Sequence, residues 1–412
     1  MANLVYRKNT LFNDPIYGFI AIETDLILNL INHPFFQRLR RISQMGLSSM
    51  VYPGAHHTRF EHAIGAMHIM QRAIEVLSGK GVKISAEEKE GMQIAILLHD
   101  IGHGPFSHAT EETFLKGVNH EKISLRVMTK LNQHFKGQLD LALEIFTGKY
   151  PRKFMHQLVS GQVDVDRLDY LKRDSFYTGV TEGNINTDRI VAMMNVKDEE
   201  LVFEVKAVHS LEKFLLARRL MYWQVYLHKT SLVAELLLVK ALERFQLLFD
   251  KKTESLEANH MLYPFLTNST SGELSEAVLD HYLTLDDSDL LQVLKSWRNH
   301  SDETLRKLSD QLINRRLPKI IIQEKEFTEE EVERQKNRLE QRFKANQADS
   351  DFVFSGSISN QTYVSDESQI LLLKKNESVF PISEAIQYLD FKQFSTPVVK
   401  HFLCFPKRDN SL

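Results

Sequence analysis

The chain has 412 residues, 43% of them hydrophobic and 25% charged, with a formal net charge of -3. These are the numbers of a soluble globular protein long enough for one large domain and a smaller one, and they exclude a global basic field for nucleic acid. The single cysteine, Cys404, excludes an intrachain disulfide framework and fits a reducing cytosol. The first residues lack a signal-peptide core, and no apolar run approaches the roughly 20 residues that span a bilayer, so a cytoplasmic protein is expected.

Apolar residues three and four apart predict helices over Leu26–Ile31, Phe35–Met45 and, after the Pro53-Gly54 turn, Arg59–Leu77. Ser85-Ala86-Glu87-Glu88 is a capping box. It opens a helix that places Met92, Ala95, Ile96 and His99 on one face, and Gly102, Gly104 and Pro105 break it. Glu200–Val208 is a strand candidate, and Leu211–Leu248 is a long helical stretch of one or two helices. Near Pro318 the texture changes. Lys319–Gln323, Val353–Ser355, Gln369–Leu373 and Val398–Phe405 are strand-like, and Thr328–Lys344 is a charged helix. The expectation is a mainly α protein: a helical body over residues 1–318 and a small C-terminal α+β lobe over 319–412. The acidic clusters Asp286–Asp289 and Glu329–Glu331 read as solvated faces.

His62, the adjacent pair His99-Asp100 and the later Asp166 stand out from this background. His99 and Asp100 lie where a helix ends, so side chains about 100° apart can converge on one ion beyond it. Asp166 opens another helical phrase in which Tyr170 and Arg173 share its face. Two imidazoles and two carboxylates form a mixed nitrogen and oxygen ligand set, suited to hydrolysis of phosphate esters. Arg59, Arg167, Lys172 and Arg173 lie in the same phrases and supply charge for an anionic substrate.

The phrases Gln37-Arg38-Leu39-Arg40, Gln44-Met45-Gly46, Arg59-Phe60-Glu61-His62, His99-Asp100-Ile101-Gly102-His103-Gly104-Pro105-Phe106-Ser107-His108, Asn119-His120-Glu121, Asp164 to Asp174 and Tyr226-Leu227-His228-Lys229 occur in that order. Together they resemble the HD-superfamily phosphohydrolases, in particular the deoxynucleoside triphosphate triphosphohydrolases. The resemblance covers roughly residues 10–240 and implies an HD-type helical body. It implies that His62, His99, Asp100 and Asp166 ligate the metal. His120 with Glu121 would donate the proton, with His103 beside them at the phosphates. Arg59, His108, Arg167 and Tyr170 would hold phosphate oxygens. Gln44 and Asp174 would read the deoxyribose 3′-OH, Tyr226 would pack where a 2′-OH would sit, and Arg218 would lie toward the base. Arg167 stands where the family has lysine, which keeps the charge but changes the donor geometry.

The implied reaction is metal-dependent hydrolysis of a dNTP, dGTP among the candidates, to deoxynucleoside and inorganic triphosphate. The alternatives are a phosphohydrolase of mono- or cyclic nucleotides and a catalytically idle nucleotide sensor. A His2Asp2 site accepts Mn, Fe, Co, Ni or Zn, with Mg a further candidate beside the substrate phosphates. The leucine-rich stretch Leu232–Val239 and the resemblance lead us to expect a dimer-based homo-oligomer. A second, regulatory dNTP is a further expectation, with Arg315, Arg316 and Lys319 as candidates to bind it. No membrane or nucleic-acid partner is expected.

Overall fold

A computed structural model describes residues 10–107, 110, 113, 118–250, 260–268, 275–343, 352–360, 369–386 and 396–407. The chain is mainly α, a helical body with a strand-containing C-terminal region. It opens with a hairpin, β1 (Thr10–Asp14) and β2 (Gly18–Ile22), that the sequence reading did not anticipate. Helix α1 (Asp25–Asn32) follows, started by the Thr24 side chain. The helix expected over Phe35–Met45 is only the short α2 (Pro34–Gln37) and a 3-10 turn to Arg41. Arg38 explains the early stop. Its buried guanidinium turns inward and donates to the carbonyls of Leu285, Ile101 and His103. That network holds the loop after the His-Asp pair against the body.

Helix α3 (Arg59–Gly79) begins at Thr58, whose backbone N–H donates to the Glu61 carboxylate. Helix α4 (Ala86–Leu98) starts at the Ser85 capping box and stops at His99. Then come α5 (His120–His134), α6 (Asp140–Phe146), α7 (Lys153–Val159) and α8 (Val165–Thr178). Asp164 caps α8 by accepting from Arg167 N at 2.7 Å, and Gly179, at φ 75°, ends it in the left-handed conformation glycine favours. Helix α3 packs against α4 and α8, so the three elements that carry the motif histidines and aspartates meet in one core.

Helix α9 (Thr187–Ala192) leads into β3 (Met194–Lys197) and β4 (Glu200–Glu204). The long stretch anticipated from Leu211 is two helices, α10 (Val208–Met221) and α11 (Lys229–Asp250). Between them Tyr222–Tyr226 forms a widened π turn, closed by Leu227 N donating to Tyr222 O at 2.8 Å. Such turns often mark functional positions because they re-aim side chains. Helices α12 (Tyr263–Asn268), α13 (Glu276–Tyr282), α14 (Asp287–Trp297) and α15 (Glu303–Ile313) follow.

The C-terminal region holds β5 (Lys319–Gln323), α16 (Glu329–Phe343), β6 (Phe354–Asn360), β7 (Leu371–Leu373), β8 (Val379–Pro381) and β9 (Val398–Phe405). One antiparallel sheet has the order β5-β9-β6 and packs on α11, α14 and α15 in a second core. The other has the order β3-β4-β7-β8, with Val202 of β4 paired in parallel to Leu371 of β7. Strands on both sides of residue 318 therefore share a sheet, and Ile370, Leu372 and Ile382 join the core of the helical body.

Candidate active site

Three elements bring the metal-ligand candidates together: the first turn of α3 (His62), the end of α4 (His99, Asp100) and the first turn of α8 (Asp166). His62 Nε2 lies 3.4 Å from His99 Nε2, and Asp166 Oδ1 lies 3.1 Å and 3.4 Å from these two nitrogens. Asp100 Oδ1 is 3.3 Å from His99 Nε2, and its Oδ2 is 3.8 Å from His62 Nε2. His62, His99 and Asp166 each offer an atom that one metal ion could share.

The surroundings fix which ring nitrogen faces inward. His99 Nδ1 lies 2.6 Å from the Ile96 carbonyl, which can only accept, so Nδ1 carries the proton and Nε2 keeps a lone pair. His62 Nδ1 lies 2.7 Å from Asp169 Oδ2, with the same consequence. Burial by itself would lower the His62 imidazole, but Asp166 and Asp169 outweigh it and raise it to about 10. Burial would raise Asp166, yet His62 and His99 hold it far below the usual carboxylate range. The donor set thus calls for positive charge at its centre. A divalent cation meets that demand in place of a proton, and an imidazole whose other nitrogen is tied to a carboxylate is the usual ligand arrangement.

Behind His62 runs a buried ionic chain. Asp169 pairs with Arg173 through Nε–Oδ2 at 2.9 Å and Nη2–Oδ1 at 3.0 Å, and Arg173 Nη1 reaches Asp14 Oδ2 at 2.8 Å. A Cβ on Gly65 would stand 2.1 Å from Arg173 Nη2 and 2.2 Å from Asp169 Oδ1, so only glycine leaves room for this pair under α3. Here the sequence reading needs correction. Arg173 is fully buried and ion-paired, and Lys172 lies over the Tyr17 ring at 4.9 Å; neither lines the cleft. The α8 residues that do face it are Asp166, Tyr170 and Asp174, spaced four apart, together with Arg167 beside Asp166.

The cluster opens into a cleft of about 920 Å³. Gln44, Arg59, His120, Glu121, Arg167, Tyr170, Asp174, Arg218 and Tyr226, all singled out from the sequence, line it, and His108 lies outside the described residues. Tyr222, Glu235 and His156 line it too and were not foreseen. His103 sits behind His120, the rings stacked at 3.9 Å, with its Nε2 3.4 Å from Asp100 Oδ1. Gly102 permits that approach: a Cβ there would meet His120 O at 2.5 Å. Arg59 uses both terminal nitrogens within the protein, donating from Nη1 to Asp100 Oδ2 at 2.5 Å and from Nη2 to Ser107 Oγ at 2.9 Å.

At the sugar-reading candidates, Asp174 Oδ2 accepts from the Tyr226 hydroxyl at 2.6 Å, and its Oδ1 lies 2.7 Å from His57 Nε2. His57, which no motif of the sequence singles out, is buried and stacked on Tyr177 at 4.4 Å. Several buried polar atoms of cleft residues have no hydrogen-bond partner among the described residues: Gln44 Oε1, Arg59 Nε, Arg167 Nε, and Arg218 Nε and Nη1. Buried donors and acceptors are seldom left so unless something else satisfies them. These ones suit a ligand bearing both anionic and hydroxyl groups.

Metal-type donors beside a cleft lined by the guanidinium groups of Arg59, Arg167 and Arg218 suit metal-assisted hydrolysis of phosphate esters. The HD domain family matches residues 59–174, which hold the whole His/Asp cluster, and the HD associated region matches 185–263, which holds Arg218 and Tyr226. A crystal structure of a phosphohydrolase from Bacteroides thetaiotaomicron aligns over 97% of this chain and 100% of its own, with TM-score 0.91 and 44% identity. An uncharacterised protein of Bacillus subtilis, YwfO, is 33% identical over 75% of this chain and 71% of its own length. The deoxynucleoside triphosphate triphosphohydrolase SAMHD1 homolog of Dictyostelium discoideum is 28% identical over 74% of this chain and 61% of its own. The chain belongs to the HD superfamily of phosphohydrolases. No helix among the described residues is long and apolar enough to cross a membrane.

Proposed function

We propose that this protein hydrolyses deoxynucleoside triphosphates at the α-phosphate, releasing deoxynucleoside and inorganic triphosphate. The observation that carries this reading is that one cleft joins His99 and Asp166, which share a metal-donor cluster with the buried His62, to the Asp174–Tyr226 pair and Gln44. The first group suits phosphoryl chemistry, and the second suits a sugar hydroxyl. Similarity to relatives named as dNTP triphosphohydrolases, in Dictyostelium discoideum and Gallus gallus, supports it.

His62, His99 and Asp166, with Asp100 beside them, would hold a divalent transition metal (Mn, Fe, Co, Ni or Zn). When bound it supplies Lewis acidity toward a phosphoryl oxygen and a water. Arg59 orients Asp100, and Asp169 orients His62. Arg167, Tyr170, Arg218 and, outside the described residues, His108 bind the phosphate oxygens, on which Mg would ride. A water oxygen bonds to the α-phosphorus and loses a proton to solvent. The bond from phosphorus to the 5′-oxygen breaks, and His120, steadied by His103 and Glu121, gives that oxygen its proton. Asp174 and Gln44 hold the 3′-OH, and Tyr226 occupies the side a 2′-OH would need. The finer reading extends to dGTP as a preferred substrate, a cytoplasmic location and a dimer-based homo-oligomer. A regulatory dNTP near Arg315, Arg316 and Lys319 would complete it; those residues lie between α15 and the start of β5.

The test is a substrate panel: four dNTPs, four NTPs, mononucleotides and cyclic nucleotides, each with added Mn, Fe, Co, Ni, Zn or Mg. Turnover confined to dNTPs supports the proposal. Turnover confined to mono- or cyclic nucleotides overturns it, and binding without turnover of any of them makes the protein a sensor.

A further inference from the structure

Asp287 stands at the start of α14, far in sequence from every motif phrase, yet its carboxylate reaches two walls of the cleft. One oxygen accepts from Ser43 N at 2.8 Å, and the other accepts from Phe106 N at 2.9 Å. Gln44 follows Ser43 and Ser107 follows Phe106, and both line the cleft. Ser107 Oγ in turn receives Arg59 Nη2, whose neighbouring Nη1 holds Asp100.

The acidic cluster Asp286–Asp289, expected to be a solvated face, is therefore something else. Asp286 caps the helix and pairs with Arg41, and Asp289 completes the cap by accepting from Asp286 N at 2.8 Å. The helix end is thus served without Asp287. The loop it grips needs holding, since Phe106 and Ser107 have φ of 48° and 31°, a region side-chain-bearing residues adopt only when their surroundings impose it. Burial pushes the Asp287 carboxyl up to about 6 in spite of its two N–H donors, as expected of a group placed for its contacts rather than for solvation.

We propose that Asp287 is a positioning residue of the hydrolytic site, a clamp that sets Gln44 toward the sugar and, through Ser107 and Arg59, sets Asp100 toward the metal-ligand cluster. The role rests on the reading of the cleft as a dNTP site.

The experiment compares Asp287→Ala, Asp287→Asn and Asp289→Asn with wild type in the full-length, metal-loaded protein. Thermal unfolding, metal content, kcat, KM and the ratio of dNTP to NTP turnover are measured for each. For Asp287→Ala the expected result, per metal-loaded molecule, is a kcat lower by about 100-fold, the scale of a displaced catalytic group. KM rises about tenfold, the scale of a lost hydrogen bond, and the dNTP to NTP ratio shrinks with it. Asp287→Asn keeps one acceptor oxygen and falls between. Asp289→Asn weakens the cap, so it lowers the unfolding temperature and leaves the kinetic constants unchanged. A purely structural aspartate would reduce the fraction of folded molecules without moving KM or the ratio. Wild-type constants in folded Asp287→Ala overturn the proposal. If that variant does not fold, wild-type constants in Asp287→Asn do the same. Equal kinetic damage in Asp289→Asn also overturns it. Failure of the wild type to cleave any dNTP condemns the functional reading instead, and the clamp is then scored on the phosphate ester that is cleaved.

Discussion

His57 grips Asp174 from the side of the protein, its Nε2 2.7 Å from Oδ1, while the Tyr226 hydroxyl donates to Oδ2 from the side of the cleft at 2.6 Å. The carboxylate is held rigidly between two aromatic residues and still has lone pairs to offer. A third partner entering the cleft would meet an acceptor already aimed.

That arrangement gives the first expected outcome. His57→Ala should leave the metal cluster intact and raise KM for a dNTP by about tenfold, the size of one hydrogen bond to a charged group. Its effect on kcat should be smaller. Steady-state kinetics beside metal content checks it, and an unchanged KM would detach Asp174 from the substrate.

Tyr226 separates two contributions, ring bulk and hydroxyl. Tyr226→Ala should narrow the gap between dNTP and NTP turnover, because the ring no longer crowds the 2′ side. Tyr226→Phe should keep the gap and raise KM, since Asp174 loses the donor 2.6 Å away. Competition assays with a dNTP and its matching NTP measure both. An unchanged ratio in the alanine variant would remove Tyr226 from the sugar site.

Asp169 stands one step behind the ligands. Asp169→Asn should weaken metal binding by about 10- to 100-fold, the range for partners of metal-bound histidine. It should also destabilise the fold, since Arg173 keeps its buried charge with only Asp14 opposite. Breaking a buried pair typically costs about 3–5 kcal/mol. Metal titration and denaturant unfolding of the same preparation give the two numbers.

Gly65→Ala probes the same chain sterically. The added methyl would overlap the Arg173–Asp169 pair at 2.1–2.2 Å, and both partners are buried, so neither can swing away. A loss of about 1–3 kcal/mol is expected from overpacking, together with weaker metal binding through Asp169 and His62. Unfolding and metal content at wild-type levels would show that the pair has more room than its geometry implies.

Much of this site was legible in the chain. Ser85 to Glu88 announced α4, and the helix stops at His99 because Gly102, Gly104 and Pro105 follow. Two strands of the β5-β9-β6 sheet, the edge strand Lys319–Gln323 and the central strand Val398–Phe405, are visible as β-branched and aromatic runs. What stayed hidden depends on distant pairing. Arg173 carries the same charge as Arg167, and only Asp169 and Asp14, the latter from the N-terminal hairpin, turn it into the core. His57 looks like any loop histidine until α8 brings Asp174 beneath it. Asp287 sits in an ordinary acidic run, and its partners, Ser43 and Phe106, are backbone amides that no side-chain pattern betrays. The β1-β2 hairpin carries exposed Leu11 and Phe19, which blur the alternation that would have marked it.

The most direct measurement of the central claim is hydrolysis of a dNTP in ¹⁸O-labelled water with mass analysis of both products. Attack at the α-phosphorus with cleavage toward the 5′-oxygen puts the label in inorganic triphosphate and none in an intact deoxynucleoside. Release of deoxynucleoside monophosphate with pyrophosphate, or label in the nucleoside 5′-hydroxyl, would contradict it.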